Sequence, residues 1–485
     1  MTIILLGLIL RLSYRCDLCN PDSYAYIIGA IRINDNGIRE YLLTLSNIYE
    51  NRISVVLPLA LILRLFGLSE FTVMLLPLFY AVGTIIVVYI LGKQLFDVVA
   101  GLLAALLVAT IPLDVFYSTA VLPDSIIPFY VGLTLLCFTL GQKKDNHLFY
   151  LLSGFFLFCA FQARATSGVL IFPLLLIAWW SSKRNLWSFL LPICTFLALL
   201  IIYWGILWLV SDDFFLHLKL LTMDASAEKY VGTGELLGHF KSIFRVNNEF
   251  GLLYLITFPA LLVALYKVGN DEAYRLPVIT FVALYLYFEF GSTTLTSYQP
   301  IWKLSRFLTI LSVPVSLIIA SVTIFIFSIS HRWLRLAIFA LLTTHILLVV
   351  ALFPLYNKGA TQFILDYNYP YKTTFAKLDA YENVEIIQTV NFRWSVRGQF
   401  YARLYGQTYR YQDLKNKSTN DIENEDIVIY DPIFFTPYGE YELNRLDYPA
   451  LQSLPEQPPS NWQLLFIVDR PTNANFPVYV YLVKT

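Results

Sequence analysis

The chain has 485 residues, of which 57% are hydrophobic and only 14% charged, and its mean hydropathy is +0.62. A soluble domain carries about 25% charged residues, so an ordinary soluble enzyme is excluded and a polytopic membrane protein is indicated. The 34 basic residues balance 34 acidic ones, and zero net charge gives no electrostatic footprint for a nucleic-acid partner.

Apolar runs of spanning or near-spanning length fall at 1–14, 70–92, 98–113, 125–141, 148–165, 168–181, 186–210, 249–267, 275–291, 306–329 and 335–355. Met1 stands almost at the first apolar residue, so a few cytoplasmic residues are expected before it. That run has no small-residue cleavage site and continues into Leu10-Arg11-Leu12, so it is no signal peptide. The segment Ile53 to Leu63 is apolar but short, and Arg64 and Gly67 stop it. A run of that length reads as interfacial or re-entrant.

Charge asymmetry then orients the chain. With 53–63 not spanning, one set of short loops carries nine basic residues: Lys93, Lys143, Lys144, Lys183, Arg184, Lys267, Arg275, Arg332 and Arg335. The opposite side carries three: Arg164, Lys303 and Arg306. The positive-inside rule puts the nine in the cytoplasm. The expectation is a cytoplasmic N-terminus and about eleven spans. Asp22, Asp124, the 211–248 loop and everything after Tyr356 are then extracytoplasmic. Arg11 and Arg15, at the outer end of the first span, run against the rule.

From Asn357 to Thr485 the chain turns rich in Tyr, Asn and mixed charge. VEIIQTV, DIVIYD and VYVYLV read as strands, SVRGQFYARLYG as a short helix, and PEQPPSNW as a turn-rich connection. The expected division is a transmembrane module at 1–356 and a soluble α/β domain at 357–485. The latter holds no His and no Cys, which excludes imidazole and thiol chemistry there.

Ionisable groups near membrane depth are costly and mark functional sites. Asp22, in CNPDSYAYIIGAI, suits an N-cap and equally a general base for a hydroxyl acceptor. Asp124, in STAVLPDSIIPF, suits the same two roles. Two converging acids can bind a divalent cation or position an acceptor. Arg164 and Arg306, with Lys303 one turn from the latter, suit interfacial snorkelling or a lipid phosphate, since Arg forks and Lys charges match phosphate oxygens. Tyr24 and Tyr26 suit interface anchors or a sugar-lining role.

The remaining special residues form no site. Cys137, Cys159 and Cys194 lie in apolar runs and read as packing residues. Cys16 and Cys19 make a lone C-x-x-C, a weak zinc or redox signal. His217, His239 and the acids around them are spread too loosely for a metal motif, and His345 stands alone in an apolar span. No nucleotide-binding glycine motif occurs.

Taken in order, these residues resemble the GT-C glycosyltransferases, especially bacterial relatives of the protein O-mannosyltransferases and the lipid A aminoarabinose transferase. Leu10-Arg11-Leu12 matches the end of that family's first span, and Asp22-Ser23-Tyr24-Ala25-Tyr26 its first-loop acidic motif. Leu65-Phe66-Gly67 closes the amphipathic segment. Asp124 matches the second-loop acid, Arg164 and Pro173 the tight hairpin, and Arg306-Phe307 with Pro314 the start of a late span. Each motif is weak alone, and the succession covers nearly the whole chain. One departure is Ser23, which stands where many members have Glu, so the role of a paired Glu is absent.

The resemblance implies an inverting enzyme of the bacterial inner membrane, working on its extracytoplasmic face. It would transfer a hexosyl or pentosyl group from a polyprenyl-phosphate carrier to a protein, lipid or glycan acceptor. Asp22 would be the base, with Asp124 beside it in catalysis. Arg164, Arg306 and Lys303 would hold the lipid phosphate, and Tyr24 and Tyr26 would line the sugar. No resident metal is implied as certain, though a divalent cation suits two acids. A flippase or transporter of lipid-linked glycans, or a polymerase or ligase of surface glycans, would share the polytopic frame. A transporter should carry charges deep within spans and no large soluble tail. A polymerase or ligase would differ only in its acceptor.

Overall fold

A computed structural model of the chain describes all residues except 15–17, 19, 21, 46, 181–185, 226–236, 245–250, 293–297, 299, 330–331, 334, 337–338, 342, 350, 352–367, 382–385, 390–391, 424, 436–444, 472–475 and 485. Cys16, Cys19 and the expected boundary at 356/357 lie outside the described residues. The chain divides into two compact units. The first comprises Met1–Asp17, Gly29–Gly67 and Phe71–Asn357. The second comprises Leu18–Ile28, Leu68–Glu70 and Lys358–Thr485, so two short stretches from the N-terminal part cluster with the C-terminal residues.

The first unit is helical, as a chain in lipid must be when every backbone amide has to find its partner internally. Among the described residues five helices are long and apolar enough to cross a membrane: Glu70–Leu95, Pro123–Lys144, Leu190–Ser211, Glu272–Phe290 and Ser305–Ser328, the last two counted with their 3-10 starts. Seven shorter apolar helices accompany them, among them Thr2–Ser13, Val98–Thr110 and His147–Ala163. Among the described residues the expected apolar runs overlap helix, and the chain is an integral membrane protein. The ambiguous 53–63 run is the helix Ile53–Phe66, ended by Gly67 at φ 76°, a backbone setting that favours glycine.

Helix Ser312–Ile329 is the central column of this unit. Ser312, Val313, Val315, Ser316, Leu317 and Ile318 are fully buried, and the column packs against Val98–Thr110, Gly251–Val268 and Arg275–Phe290. A second row runs from Pro123–Lys144 through His147–Ala163 to Leu186–Ser211. The approach is close: a Cβ at Gly154 would come within 2.3 Å of the Pro192 carbonyl oxygen, the small-residue contact typical of membrane helices. Three chain reversals flank these rows and carry the charges treated below.

The segment Asp22–Leu43 is two helices in one run, because Gly37 sits at φ 84°, ψ 161° and breaks the hydrogen-bond ladder. Its first turns belong to the second unit and the rest to the first.

The second unit contains a five-stranded mixed sheet. Its strands are β1 (Ile386–Thr389), β2 (Arg410–Asp413), β3 (Ile427–Tyr430), β4 (Trp462–Val468) and β5 (Val478–Val483), in the order β2-β1-β3-β5-β4. β1 runs parallel to β2 and β3, and β5 antiparallel to β3 and β4. Helix Phe392–Leu404 provides the crossover from β1 to β2, as parallel pairing requires. All four residues of the central β3 are buried, whereas the edge strand β2 is largely exposed and polar, which suits a strand with one open side. Asp431 and Arg470 form a fully buried pair at 2.6 and 2.7 Å. The three expected strands and the expected helix are all present, which gives a C-terminal α/β region.

Candidate active site

Asp124 sits at the second position of helix Pro123–Lys144, where Pro123 pre-sets the first helical turn. Ser125 Oγ donates to the carbonyls of Ala120 and Leu122 at 2.9 and 2.7 Å and fixes the loop that delivers the acid. The Asp124 side chain is 1% exposed. A bare carboxylate at that depth would be strongly unfavourable, and two arginines from distant chain reversals meet it. Arg164 Nη1 donates to Asp124 Oδ1. Arg306 Nε stands 3.9 Å from Oδ2.

Each arginine is held by its backbone. Arg164 is extended (φ −158°, ψ 119°) between helix His147–Ala163 and the 3-10 turn Ala165–Leu170, and its N–H donates to Ala160 O at 2.9 Å. Arg306 is the second residue of the 3-10 turn Ser305–Leu311, which feeds the central column. Phe307 lies between them: the Arg164 guanidinium is 3.9 Å from its ring centroid and the Arg306 guanidinium 6.0 Å, a cation–π arrangement. Two guanidiniums face one carboxylate, a donor set that suits an anion. Among the described residues no group of three or more His, Cys, Asp and Glu side chains is placed to hold a metal ion.

Lys303 is tied elsewhere. Its Nζ donates to the carbonyls of Phe288 and Glu289, each at 2.6 Å, and lies 3.8 Å from Glu289 Oε1. It thus caps the C-terminal end of helix Arg275–Phe290, where cations are favoured. Burial lowers its pKa, and Glu289 opposes that. Glu289 Oε2 also accepts the Phe240 N–H at 3.0 Å. The structure therefore brings Asp124, Arg164 and Arg306 together and places Lys303 in a neighbouring network with Glu289.

Asp22 is the first residue of its helix and half-buried, and its N–H donates to Asn20 Oδ1 at 2.9 Å. The Asp22 carboxylate lies in the first turn of the helix, where the helix dipole favours it. Asp22 belongs to the second unit, and the Asp124 cluster to the first. Tyr24 and Tyr26 are fully buried in the second unit. The Tyr24 hydroxyl is 3.2 Å from that of Tyr401, its ring is 5.5 Å from Phe400, and the Arg397 guanidinium stands 5.6 Å from it.

Sequence reading misses Asp114. It lies in the short helix Pro112–Tyr117, and its Oδ1 accepts Ser312 Oγ–H at 2.8 Å. Burial pushes its carboxyl up to about 7, opposed by the Ser312 hydrogen bond and Arg11. The rule that singles out Asp124 singles out Asp114 too once the third span is ended before Pro112. Sequence pattern also gives no partner for His217, whose Nδ1 is 3.0 Å from Asn51 Oδ1, which accepts the Tyr203 hydroxyl at 2.9 Å. Burial lowers the pKa of His217 to about 4.

Residues 55–208 match the family model of dolichyl-phosphate-mannose-protein mannosyltransferases. No curated protein matches the sequence. Among solved structures, ArnT from Cupriavidus metallidurans bound to undecaprenyl phosphate shares the fold at a TM-score of 0.65 and 12% identity, over 99% of this chain and 97% of that one. The oligosaccharyltransferase of Archaeoglobus fulgidus in complex with Zn and sulfate matches at 0.55 and 13% identity, over 99% of this chain and 73% of that one. The same organism's AglB with an inhibitory peptide and a dolichol-phosphate matches at 0.52 and 12% identity, over 90% and 69%. The chain thus has the fold of ArnT and of the archaeal oligosaccharyltransferase, and residues 55–208 match the mannosyltransferase family model.

Proposed function

We propose that the chain is an inverting glycosyltransferase that takes a sugar from a polyprenyl-phosphate carrier and gives it to an acceptor hydroxyl on the extracytoplasmic side. The observation that carries this reading is the buried Asp124 carboxylate faced by both Arg164 and Arg306, two guanidiniums gathered at one point of an apolar bundle. The lipid phosphates named with two of the similar structures, undecaprenyl phosphate in ArnT and a dolichol-phosphate in AglB, support a ligand of the same class here.

In this reading the acceptor oxygen attacks the anomeric carbon while the bond from that carbon to the phosphate oxygen breaks. The electron pair passes to the phosphate, and the acceptor proton passes to the Asp22 carboxylate. Arg164 and Arg306 stabilise the charge that develops on the leaving phosphate, since cations fixed in a water-poor site act on that charge without having to reorganise. Asp124, beside Asp22 in the catalytic assignment, also holds the two guanidiniums in place.

The test is purified protein offered a panel of polyprenyl-phosphate sugars, with free carrier lipid and glycosylated product read by mass spectrometry. Carrier release with one sugar class, with inversion at the anomeric carbon, is the expected result. No release from any lipid-linked sugar, with or without acceptor, would overturn the reading.

A further inference from the structure

Helices Thr2–Ser13, Val98–Thr110, Ser312–Ile329 and Phe339–Val349 border a groove of about 370 Å³. None of the residues placed in the transfer reaction lines it. Its walls are built chiefly from Leu103, Leu106, Leu107, Ile324, Phe327 and Phe339. Thr110, Thr343 and His345 bring the polar side chains among the described lining residues, and the Thr110 hydroxyl is bonded to the Leu106 and Leu107 carbonyls at 3.0 and 3.2 Å. An apolar cavity of about 150 Å³ stays dry and takes up benzene, and this groove is more than twice as large. Val99, Leu102 and Phe339 line it and are exposed, so it opens sideways, and at the depth of spanning helices that side meets lipid.

The groove has two distinct ends. Val99 and Phe339 stand at the starts of their helices and Phe327 near the end of its own, so these three mark one end. Thr110 and His345 mark the other. From Val99 to Thr110 the wall rises about 16 Å at 1.5 Å per residue, about half of a 30 Å hydrocarbon core and so the depth of one leaflet. The stretch of chain that joins Phe327 to Phe339 carries Arg332 and Arg335, both exposed, with Trp333 between them 80% exposed. Exposed tryptophan set among arginines marks the membrane–water interface. The sequence from Phe327 to Leu365 holds no acidic residue. Asp97, at the start of the neighbouring wall, accepts the Ala100 N–H of its own helix at 2.7 Å.

We propose that this groove holds one chain of an anionic phospholipid whose phosphate rests on Arg332 and Arg335. Left empty, the groove would forfeit dispersion contacts on its walls. Water finds too few partners there, and the medium around it is hydrocarbon, so a lipid chain is the occupant. The basic pair sets the headgroup, because basic residues at the ends of spans draw anionic lipids. This is the end expected to face the cytoplasm, whose leaflet is the anionic one. The polyprenyl donor is a separate ligand. Arg306, which faces its phosphate in the reading above, precedes the start of helix Ser312–Ile329, whereas Phe327 lies near that helix's other end. The lipid site stands whether or not the transferase reading does.

The experiment strips full-length protein of lipid in detergent and titrates it with phosphatidylglycerol or phosphatidylcholine of the same chains. Native mass spectrometry counts the lipids bound. One phosphatidylglycerol should bind ahead of all others, and phosphatidylcholine more weakly. Arg332→Gln/Arg335→Gln should weaken phosphatidylglycerol binding by about thirtyfold, about fivefold for each arginine near the membrane surface, and leave phosphatidylcholine binding unchanged. Leu103→Trp fills the groove and should abolish the first binding step for both lipids.

Equal affinity for the two headgroups in the parent overturns the proposal, as does an unchanged first step in Leu103→Trp. If undecaprenyl phosphate displaces the bound phosphatidylglycerol one for one, the groove belongs to the carrier and the proposal falls. A dimer that Leu103→Trp dissociates would make the groove a contact between copies and overturn it too. Should Leu103→Trp not fold, Thr343→Phe, at an exposed position of the same lining, decides. Loss of the first lipid then supports the proposal, and its retention overturns it.

Discussion

Arg164 and Asp124 are 40 residues apart in sequence and share a hydrogen-bonded ion pair at a carboxylate that is 1% exposed. Breaking such a pair from one side leaves a buried charge uncompensated, which costs about 3–5 kcal/mol. Asp124→Asn is therefore expected to lower the melting temperature sharply, as well as turnover, because two guanidiniums would repel one another across a neutral amide. Thermal unfolding followed by tryptophan fluorescence in detergent is the check. A melt unchanged from the parent would show that the pair contributes nothing to folding.

Removing the arginines separates binding from stability. Arg306 lies 3.9 Å from Asp124 and its side chain is 18% exposed, so it has less to lose in folding than Arg164. Arg306→Ala should weaken binding of a polyprenyl-phosphate sugar by the loss of one charge-assisted contact, about 1.5–3 kcal/mol, with a modest change in melting temperature. Arg306→Lys should recover part of that affinity, since a point charge replaces a planar fork. Equal donor affinity in the parent and Arg306→Ala would remove this residue from the clamp.

Much of this site was legible because lipid makes charges conspicuous. Asp124, Arg164 and Arg306 each interrupt apolar sequence, and each lies where two helices join. What pattern could not supply was partnership. Lys303 stands three residues before Arg306, yet the 3-10 turn starts at Ser305, and Lys303 ends at the carbonyls of Phe288 and Glu289 instead. Asp114 was hidden because Ile111-Pro112-Leu113 extends the apolar run up to it. In the C-terminal region VEIIQTV, DIVIYD and VYVYLV show the composition of buried strands. The edge strand Arg410–Asp413 does not, because an exposed strand needs no apolar face. Trp462–Val468 escaped as well, since its first residue closed the turn-rich PEQPPSNW and its register shifts between Leu464 and Phe466.

Topology follows from the basic asymmetry and is open to a direct test. The second unit is expected outside the cytoplasm. Ser418 is a poor probe position, because its N–H and hydroxyl both bind Asp421 in a capping box. Asn420 is exposed and close by. A thiol-reactive, membrane-impermeant label should reach Asn420→Cys in intact cells, in a background without Cys16, Cys19 and the exposed Cys194. Labelling that needs permeabilisation would reverse the orientation.

Two buried histidines predict how stability varies with pH. His217 and His239 are 3% and 0% exposed. Burial lowers their pKa to about 4 and about 3, with Lys303 adding to the effect on His239. An unfolded chain takes up a proton on each near pH 6.5, whereas the folded chain refuses it until far lower pH. The unfolded state thus binds more protons between those limits, so stability is full above about pH 6.5 and is lost as pH falls toward 4. His239→Leu should flatten this decline, and the loss in melting temperature between about pH 7 and 4.5 should shrink. Identical declines in the variant and the parent would exclude His239 as a source.

The most discriminating substitution is at Asp22. Its N–H donates to Asn20 Oδ1 at 2.9 Å, and an asparagine in its place can serve any capping role equally well. Asp22→Asn keeps size and shape and removes the negative charge with nearly all of the basicity. Loss of a favourable dipole interaction in the first turn costs about 0.3–1 kcal/mol, which a folded membrane protein tolerates. If Asp22 takes the proton from the acceptor hydroxyl, turnover should fall by about 10²–10⁴-fold. Affinity for the lipid-linked donor should stay at the parental level, because Arg164 and Arg306 are untouched. Asp22→Glu retains the base on a longer arm and should recover a fraction of the lost rate. The pH profile of turnover should lose its acidic limb in Asp22→Asn and keep it in Asp22→Glu. Carrier-lipid release and donor binding, measured on the same preparations, give both quantities. Near-normal turnover in Asp22→Asn would end the proposed mechanism and leave proton removal to another group.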